Sequence, residues 1–538
     1  MLRPYTPEAP VLLRLRGTQA EMGAQLGEQL RELGGYEQVM DFYPRMASAV
    51  LSLAVPYRLR ASARRNWQRT LMVGAAALDH ARRKHFPEYA ARTDALLAAA
   101  GVPSGFARAL AVMDVLQNTI GGVGRLGLLQ TTGLQVAAIP SCTSLAVWGE
   151  GSRDGALRHA RNFDFPGAGV WDRTPKVVLC EPRQGLRYGF VSTRGADTPG
   201  VTAFNEAGLS LTAHTRFHRD VNFSGVGVID FGHELIRTCS TLEQVRERAS
   251  AMRTASTWGF LVSSARERKA MVVETTGAAV RFVEVGDQAL HLAQTNRYLH
   301  PDLKVGEVTS SVGFVVDSDA RWARADGARA RHGGQLGRED LEAVLADCGD
   351  PGAPDPDADD RLAGNCIVSA MTVKSVIFEP EAGRVRISTG VAPTGLGPYV
   401  DVDYSWDGVV GLVKVEGGAV DDGRWRSPAA MAMRGYVAVT RAHLEGASPV
   451  EVRAMLERVV AAAPSEPNYR FLAGIFAVSN GDFRGAARHF GKVLERERGA
   501  YRRGLALLWF ARVASVLGRE EEARRARKEL VRVPGVEG

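Results

Sequence analysis

The sequence predicts an α+β protein in which a strand-rich central part lies between two helical segments. Residues 1 to about 130 carry apolar residues at helical spacing. From Cys142 to about residue 415, short segments with period-two alternation are separated by turns rich in glycine, aspartate and asparagine. Beyond about residue 425 the helical spacing returns. This order is typical of a layered α+β domain built on antiparallel sheets.

The N-terminal segment predicts amphipathic helices. GTQAEMGAQLGEQLREL (Gly17–Leu33) begins with Thr18 as a candidate N-cap, and its apolar residues follow at helical spacing. NWQRTLMVGAAALDHARRKH (Asn66–His85) continues the pattern. We therefore expect the chain before Cys142 to be mainly helical.

The central part predicts many short strands and two helical stretches. The clearest predicted strands are TPKVVLCEP, LRYGFVST, GLSLTAHT, KAMVVETT, AVRFVEV, TVKSVIFEP and GRVRISTG. The helical stretches are FGHELIRTCSTLEQVRERAS (Phe231–Ser250) and REDLEAVLAD (Arg338–Asp347). Val415–Trp425, rich in glycine and aspartate, is predicted to be a linker.

The C-terminal part contains two similar units, in which Gly481 aligns with Gly518, 37 residues later (518 minus 481). Each unit is an amphipathic helix, a short turn and a second helix. The pattern is similar to tetratricopeptide repeats, although their usual period is 34 residues. A plain helical bundle that caps the main domain fits the two units as well.

Length and composition predict a soluble globular protein of two or three domains. The chain has 538 residues, of which 45% are hydrophobic and 24% are charged. The net charge of +7 comes from 67 basic and 60 acidic residues, and no basic run is dense enough for a nucleic-acid footprint. We therefore expect no binding to nucleic acid.

The five cysteines and the absence of long apolar runs predict a cytoplasmic protein with free thiols. Cys142, Cys180, Cys239, Cys348 and Cys366 form no CxxC pair, which argues against a disulfide framework and a thiolate zinc site. The N-terminus lacks the apolar core of a signal peptide, and no run of 18 apolar residues occurs. We expect no metal, no membrane span and no cofactor.

One predicted hairpin brings a cysteine close to two charged residues. In Ile139–Phe165, TSLAVWG and ALRHARNFDF form the strands and EGSRD forms the turn. Antiparallel pairing places Cys142 opposite roughly residues 162 to 164, within reach of Arg161 and Asp164. A guanidinium lowers the pKa of a neighbouring thiol, whereas a carboxylate repels a thiolate. The carboxylate therefore needs a cation of its own.

A cut between Ser141 and Cys142 would supply that cation. The new α-amino group, with a pKa of about 7.7 to 8.0, would act as the base for the thiol of its own residue. Asp164 would hold the amine, and Arg161 would support the thiolate or the oxyanion. The alternative is a small core cysteine with an Arg–Asp ion pair at the rim of the sheet.

Two motifs in this hairpin are similar to a known enzyme superfamily. The CTS sequence that begins at Cys142 and the RNFD sequence from Arg161 to Asp164 resemble those of cysteine N-terminal-nucleophile (Ntn) hydrolases. The likeness is greatest to the acyl-CoA:6-aminopenicillanic acid acyltransferases, which are related to choloylglycine hydrolases and acid ceramidases. GTQAEMGAQLGEQL also resembles the segment that opens the precursors of these acyltransferases.

Four later segments resemble the same family in the expected order, so the resemblance covers roughly residues 10 to 400. They are FNEAGLSLTAHT (Phe204–Thr215), AQTNRYLHP (Ala293–Pro301), DSDARWARA (Asp317–Ala325) and CIVSAMTVKSVIFEPEAGRVRISTG (Cys366–Gly390). The resemblance implies a four-layer αββα sandwich and autoproteolysis that exposes the cysteine.

The resemblance also assigns roles to further residues. Asn296 corresponds to the asparagine that the family uses in the oxyanion hole, and Arg321 corresponds to the first arginine of the family's S-x-x-R-x-x-R segment. Many relatives have a second oxyanion-hole asparagine where this chain has His214 and Thr215. These two residues, and Asn205 of the NEAGL sequence, are candidates for contact with the oxyanion or the substrate.

We therefore predict a self-processing hydrolase or acyltransferase that acts on linear amides or acyl donors through Cys142. Residues 1–141 would be the small chain that autoproteolysis releases, 142–415 the catalytic core and 425–538 the helical hairpins. The substrate would be a small amide or acyl compound, and acyl-CoA would be a substrate and not a cofactor. The predicted partner after cleavage is the chain's own N-terminal fragment.

Two alternatives remain at this stage. One is an ester or lipid hydrolase of the same fold, similar to phospholipase B-like proteins. The other is a non-catalytic relic whose C-terminal helices bind a protein partner, which the missing second asparagine and the repeat-like tail favour. The sequence does not decide between hydrolysis and acyl transfer.

Overall fold

The chain folds into two stacked β-sheets with helices on both outer faces, followed by a helical C-terminal region. The computed structural model describes residues 8–34, 36–52, 59–125, 141–165, 167–193, 195–309, 312–348, 366–415, 424–464 and 466–533. The predicted fold class, a four-layer αββα sandwich with an additional helical region, is confirmed.

The elements of the described chain are numbered in chain order. The strands are β1 (Val11–Gly17), β2 (Ser141–Gly149), β3 (Gly155–Asp164), β4 (Lys176–Pro182), β5 (Tyr188–Ser192), β6 (Thr202–Asn205), β7 (Leu209–Thr215), β8 (Trp258–Ser264), β9 (Lys269–Thr275), β10 (Val280–Glu284), β11 (His291–Gln294), β12 (Thr372–Glu379), β13 (Arg384–Ser388), β14 (Tyr399–Asp403) and β15 (Gly411–Lys414). The helices are α1 (Gln19–Leu33), α2 (Tyr36–Ser52), α3 (Arg60–His85), α4 (Pro87–Ala100), α5 (Val112–Arg125), α6 (Val228–Thr238), α7 (Leu242–Ser250), α8 (Pro301–Lys304), α9 (Val312–Asp326), α10 (Ala328–Arg331), α11 (Arg338–Leu345), α12 (Pro428–Glu445), α13 (Pro449–Ala462), α14 (Pro467–Ser479), α15 (Phe483–Arg496), α16 (Ala500–Val516) and α17 (Glu520–Leu530).

One sheet has nine strands in the order β10-β9-β8-β7-β6-β5-β4-β1-β15, and the other has six in the order β11-β2-β3-β12-β13-β14. The β2–β3 hairpin lies inside the six-stranded sheet. Strand β1 pairs parallel to β4 and antiparallel to β15. Strand β1 was not predicted from the sequence, in which the N-terminal segment shows mainly helical spacing. This segment therefore also contributes a strand to the core sheet.

Each sheet buries its outer face against helices. On the nine-stranded sheet, Leu26 of α1 and Tyr89 of α4 share a core with Leu211 of β7. On the six-stranded sheet, Leu145 of β2 packs in one cluster with Ala325 of α9. Both sheets therefore have two buried faces, which agrees with the buried pattern along β2 and β7.

Local sequence explains where several helices begin. Thr18 caps α1, and Glu21 completes a capping box, as the predicted N-cap requires. The stretch Phe231–Ser250 forms two helices, α6 and α7, because the chain is extended at Cys239 and Thr241 caps the second helix. Helix α9 was not among the helices predicted from the sequence.

The C-terminal region consists of the helical hairpins α12–α13, α14–α15 and α16–α17. Gly481 and Gly518, which align in the sequence, end their first helices with the same left-handed φ of +74°. Ala430 and Met433 of α12 pack in a cluster with Leu396 of the core. The likeness to tetratricopeptide repeats stays a prediction, and residues 416–423 of the predicted linker lie outside the described chain. No described helix is both long and apolar enough to cross a membrane.

Candidate active site

The β2–β3 hairpin places Cys142 opposite Phe163, within the range of residues 162 to 164 predicted from the sequence. Cys142 pairs with Phe163, and Ser144 pairs with Arg161. Paired residues point to the same face of a sheet, and side chains alternate along each strand. Cys142, Phe163 and Arg161 therefore share the face that looks toward the nine-stranded sheet.

Arg161 is fully buried and directs its charge at the thiol. Its Nη2 lies 3.3 Å from Cys142 Sγ and also donates to the Ala213 carbonyl at 2.8 Å. Its Nη1 donates to the carbonyl of Val201 and the hydroxyl of Thr202. Among the described residues, no carboxylate forms an ion pair with this guanidinium. Neutral oxygens hold the side chain, so its positive charge acts on the sulfur.

Burial and Arg161 have opposite effects on Cys142. Burial raises the pKa of the Cys142 thiol, and the neighbouring Arg161 guanidinium lowers it without cancelling the effect of burial. In the uncut chain the cysteine is therefore a neutral thiol at neutral pH. It needs a base before it can act as a nucleophile.

Asn296 contacts the backbone nitrogen of Cys142, the atom that would become the α-amine. Its Oδ1 accepts from the Cys142 N–H at 3.0 Å and from Nη2 of Arg321 at 2.9 Å. Its Nδ2 donates to the Thr215 carbonyl at 3.2 Å. Two donors face Oδ1 and one acceptor faces Nδ2, so the network fixes the orientation of the amide.

Arg321 projects from α9 and holds the backbone of the nucleophile from the outer face of the sheet. Its Nη1 donates to the Cys142 carbonyl at 2.8 Å and to the Thr143 hydroxyl at 2.9 Å. Its Nε forms an ion pair with Asp317 at 2.8 Å. Arg321 therefore contacts both Cys142 and Asn296.

Asp164 lies beside the residue that precedes the nucleophile. Its Oδ1 accepts from the Thr372 hydroxyl at 2.5 Å, and its Oδ2 is 3.5 Å from the Ser141 hydroxyl. Burial raises the pKa of Asp164 to about 6, and the Arg321 charge opposes that rise. The carboxyl group therefore loses its proton at a higher pH than an ordinary aspartate, and it lies beside the hydroxyl of Ser141.

The three residues predicted to contact the oxyanion or the substrate lie in different surroundings. His214 bonds to the Ser144 hydroxyl through Nε2 at 2.9 Å, so its ring lies between the sheets. Burial lowers the pKa of His214 well below its usual value. Thr215 lines the cavity beside Cys142. Asn205 lies elsewhere, because its amide donates to the Ile236 carbonyl near the end of α6 and accepts from the β6–β7 turn.

A cavity opens at the end of the sandwich, and Cys142 lies in its wall. Its empty space, including the open mouth, is about 800 Å³. Its main apolar side chains are Tyr43, Met113, Phe163, Phe165, Trp171 and Trp258. Tyr43 stands 5.1 Å from Phe165 and 5.3 Å from Trp171 between ring centroids. Since Tyr43 belongs to α2, the N-terminal segment forms part of the cavity wall.

Sequence reasoning missed several groups that complete this site. Thr372, Ser318 and Lys374 were not predicted, although Thr372 and Lys374 lie within the segment that resembles the family's closing hairpin. Among the described residues, no group of three histidine, cysteine or acidic side chains could hold a metal ion. The site thus consists of a thiol, two buried arginines, an amide and a carboxyl group.

Residues 152–351 match the family model described as acyl-coenzyme A:6-aminopenicillanic acid acyl-transferase. The range begins after Cys142 and includes the other four predicted catalytic positions. A search of curated proteins gave no match. A solved structure of a Caenorhabditis elegans N-acylethanolamine-hydrolyzing acid amidase ortholog is similar at 14% identity and a TM-score of 0.31, over 44% of this chain and 93% of that chain. The family match supports the predicted relationship over residues 152–351, and the matched family is one of enzymes.

Proposed function

We propose that this chain, which matches the acyl-coenzyme A:6-aminopenicillanic acid acyl-transferase family over residues 152–351, is a self-processing amidohydrolase or acyltransferase with Cys142 as nucleophile. The observation that supports this proposal is the set of contacts made by Cys142. Its thiol lies in the cavity wall next to Arg161, its N–H meets Asn296 and its carbonyl meets Arg321. Cys142 differs from the other buried cysteine beside an arginine, Cys180, because it lines the cavity and because its backbone is held by two further predicted site residues, Asn296 and Arg321.

Self-processing begins when Cys142 Sγ attacks the carbonyl carbon of Ser141. A thioester forms as the bond from that carbon to the Cys142 nitrogen breaks, and the proton lost by the thiol ends on the nitrogen. Water then hydrolyses the thioester, so Ser141 ends in a carboxylate and Cys142 carries a free α-amine. In the uncut chain the Cys142 N–H stands in for that amine, 3.0 Å from Asn296 Oδ1.

The freed amine is the base for turnover. With a reference pKa of about 7.7 to 8.0, it accepts the thiol proton near neutral pH and returns it to the leaving amine. Asp164, which lies against Ser141 in the uncut chain, becomes available to hold the ammonium form once Ser141 has left the site. Water as acceptor gives hydrolysis, and an amine as acceptor gives acyl transfer.

The oxyanion requires hydrogen-bond donors at the attacked carbonyl. Asn296 Nδ2 has two hydrogens, of which one donates to the Thr215 carbonyl. The second hydrogen is the proposed donor to the oxyanion. His214 is turned toward Ser144, so Thr215 in the cavity wall is the better candidate for the second donor.

The proposal also requires that the two fragments stay together after cleavage. Strand β1 pairs with β4 and β15 inside the nine-stranded sheet, and Tyr43 forms part of the cavity wall. Loss of residues 1–141 would remove both. We therefore infer that the mature protein is a complex of the two fragments.

The first test is the intact mass of the purified protein under denaturing conditions. Wild type is expected to give one fragment of residues 1–141 and one of 142–538, whereas Cys142→Ala stays at full length. Cys180→Ala is the matched control, because Cys180 is also buried beside an arginine but lies outside the cavity wall. It is expected to split like wild type.

Two outcomes would contradict the proposal. A full-length mass for wild type would mean that Cys142 never gains an amine. Cleavage of Cys142→Ala would mean that another group cuts the chain. With the split established, a screen of acyl amides against lysophospholipids separates amide chemistry from lipid hydrolysis.

A further inference from the structure

A buried lysine lies across the cavity from the nucleophile. Lys374 of β12 is 5% exposed and lines the same cavity as Cys142. Lys374 pairs with Phe163, which in turn pairs with Cys142, so the three side chains form one row across three strands. With a strand spacing of about 4.8 Å, the Cα atoms of Cys142 and Lys374 are roughly 10 Å apart.

The ammonium group of Lys374 has more donors than the protein uses. It has three N–H bonds, and one donates to the Trp171 carbonyl at 2.7 Å. Within the described chain, Lys374 has no second hydrogen-bond partner and no ion pair. The carboxylates of Asp172 and Glu8 attract the ammonium group, but neither forms a hydrogen bond or ion pair with it in the described chain. Asp172 instead accepts the backbone N–H groups of Gly169 and Ala392 at 2.7 and 2.8 Å.

A buried cation with unused donors requires an acceptor. Leaving it unsatisfied in a largely apolar cavity is costly. Burial lowers the pKa of Lys374 to about 8 and Asp172 opposes this shift, so the group is still mostly charged at neutral pH. Phe163, Phe165 and Trp171 supply the apolar surface between this charge and the thiol.

We propose that Lys374 determines substrate specificity by binding a carboxylate at the far end of the substrate's acyl group. The inference rests on the proposed function and names its substrate class: an acyl chain with an apolar body and an anionic end. The acyl group is assigned to the cavity because it stays on Cys142 through both half-reactions. The leaving amine and the incoming acceptor must instead exchange with solvent.

The test measures binding apart from chemistry. Suberic acid and its monomethyl ester, the acids that hydrolysis of suberic acid monoanilide and of its methyl ester would give, are titrated by calorimetry into the purified protein with Cys142 intact, because Cys142→Ala would keep Ser141 in the site. The acid is expected to bind at least about tenfold more tightly than the ester, because a charge-assisted hydrogen bond replaces an unsatisfied donor. Adding Lys374→Met is expected to abolish this preference.

Lys176→Met is the matched control. Lys176 is also fully buried, donates to a backbone carbonyl (Ala196, 3.3 Å) and has a pKa lowered by burial to about 8, but it does not line the cavity. Its loss is expected to leave the preference for the acid unchanged. Equal binding of acid and ester, no binding of either, or the same effect of both lysine substitutions would overturn the proposal.

A pH series on the chain with Lys374 intact gives a second readout that does not depend on folding of a lysine variant. The preference for the acid is expected to disappear as the pH rises through about 8, where the ammonium loses its proton. A preference that persists above that pH contradicts the role of Lys374. If the acid binds preferentially but wild type neither splits nor turns over the anilide, the proposed function fails and the binding site stands.

Discussion

Two buried cysteines lie next to two buried arginines, and only one of the pairs borders the cavity. Cys142 Sγ is 3.3 Å from Arg161, and Cys180 Sγ is 3.9 Å from Nη1 and Nη2 of Arg92. Burial raises the pKa of both thiols, and the adjacent guanidinium opposes the rise in each. By residue type the two pairs are therefore equivalent.

They differ in what balances the guanidinium. Arg92 forms a bidentate ion pair with Asp197, at 2.7 and 2.9 Å, so its charge is already neutralised. In the described chain, Arg161 contacts neutral oxygens, the sulfur of Cys142 and the ring of Phe163, and it forms no ion pair with a carboxylate. An arginine beside a cysteine is thus a weak signal of catalysis by itself. The two features that distinguish the Cys142 pair in the described chain are an arginine without a carboxylate partner and an adjacent cavity.

The largest expected effect comes from removing the two arginines in turn. Arg92→Met leaves the Asp197 carboxylate without its partner and is expected to lower the free energy of unfolding by about 3–5 kcal/mol. Self-cleavage of the folded fraction is expected to be unchanged. Urea unfolding of the Cys142→Ala background measures the stability, and intact mass on the wild-type background measures the cleavage.

Arg161→Met is expected to change the rate of self-cleavage. Removal of a charge-assisted hydrogen bond to sulfur, worth about 1.5–3 kcal/mol, slows self-cleavage by roughly ten- to hundredfold. A time course of the intact mass measures this rate. If Arg92→Met slows the cleavage of folded protein as much as Arg161→Met does, the proposed difference between the two arginines is wrong.

The second prediction concerns the carboxyl groups of the same two regions. Burial raises the pKa of Asp164 to about 6 from an ordinary value of 3.8. The folded protein therefore binds the proton more tightly than the unfolded chain, so this group costs stability above pH 6 and the cost disappears as the pH falls toward 4. The difference corresponds to about 3 kcal/mol at neutral pH.

Asp164→Asn is therefore expected to stabilise the uncut chain at pH 7 and to flatten its stability between pH 4 and 6. Asp197→Asn, the matched change in the other region, leaves Arg92 unpaired and is expected to destabilise. Urea midpoints in the Cys142→Ala background at several pH values measure both. A loss of stability at pH 7 in Asp164→Asn would contradict the pKa shift of this group.

The parts of the site that are local in sequence could be predicted from it. The pairing of Cys142 with Phe163 follows from a short turn and the alternation of two adjacent strands. The cap at Thr18 follows from the same kind of short-range rule. Asn296 and Arg321 lie far from the hairpin in sequence, and they were found only because their segments resemble a known family.

The parts that depend on long-range packing could not be predicted. Strand β1 joins its sheet beside β4, more than 150 residues later in the chain, and no local pattern specifies that partner. Tyr43 enters the cavity wall because α2 packs against the end of the sandwich. Lys374 appears in the sequence as one polar residue of an alternating strand, and neither its burial nor its hydrogen bond to the Trp171 carbonyl is specified by the local pattern.

The smallest expected effect compares one hydroxyl from each region. The Thr372 hydroxyl donates to Asp164 at 2.5 Å, and the Tyr188 hydroxyl accepts from Arg92 at 3.2 Å. Thr372→Val and Tyr188→Phe each remove one buried hydrogen-bonding group, so each is expected to cost about 1 kcal/mol of stability.

Only Thr372→Val is expected to change how the stability depends on pH. The hydrogen bond from the Thr372 hydroxyl lowers the pKa of Asp164. Without this bond, the gain in stability on acidification should begin at a pH above the wild-type pKa of about 6. Urea midpoints between pH 4 and 8 in the Cys142→Ala background measure both changes, and the same shift in both variants would show that the two regions are not electrostatically distinct.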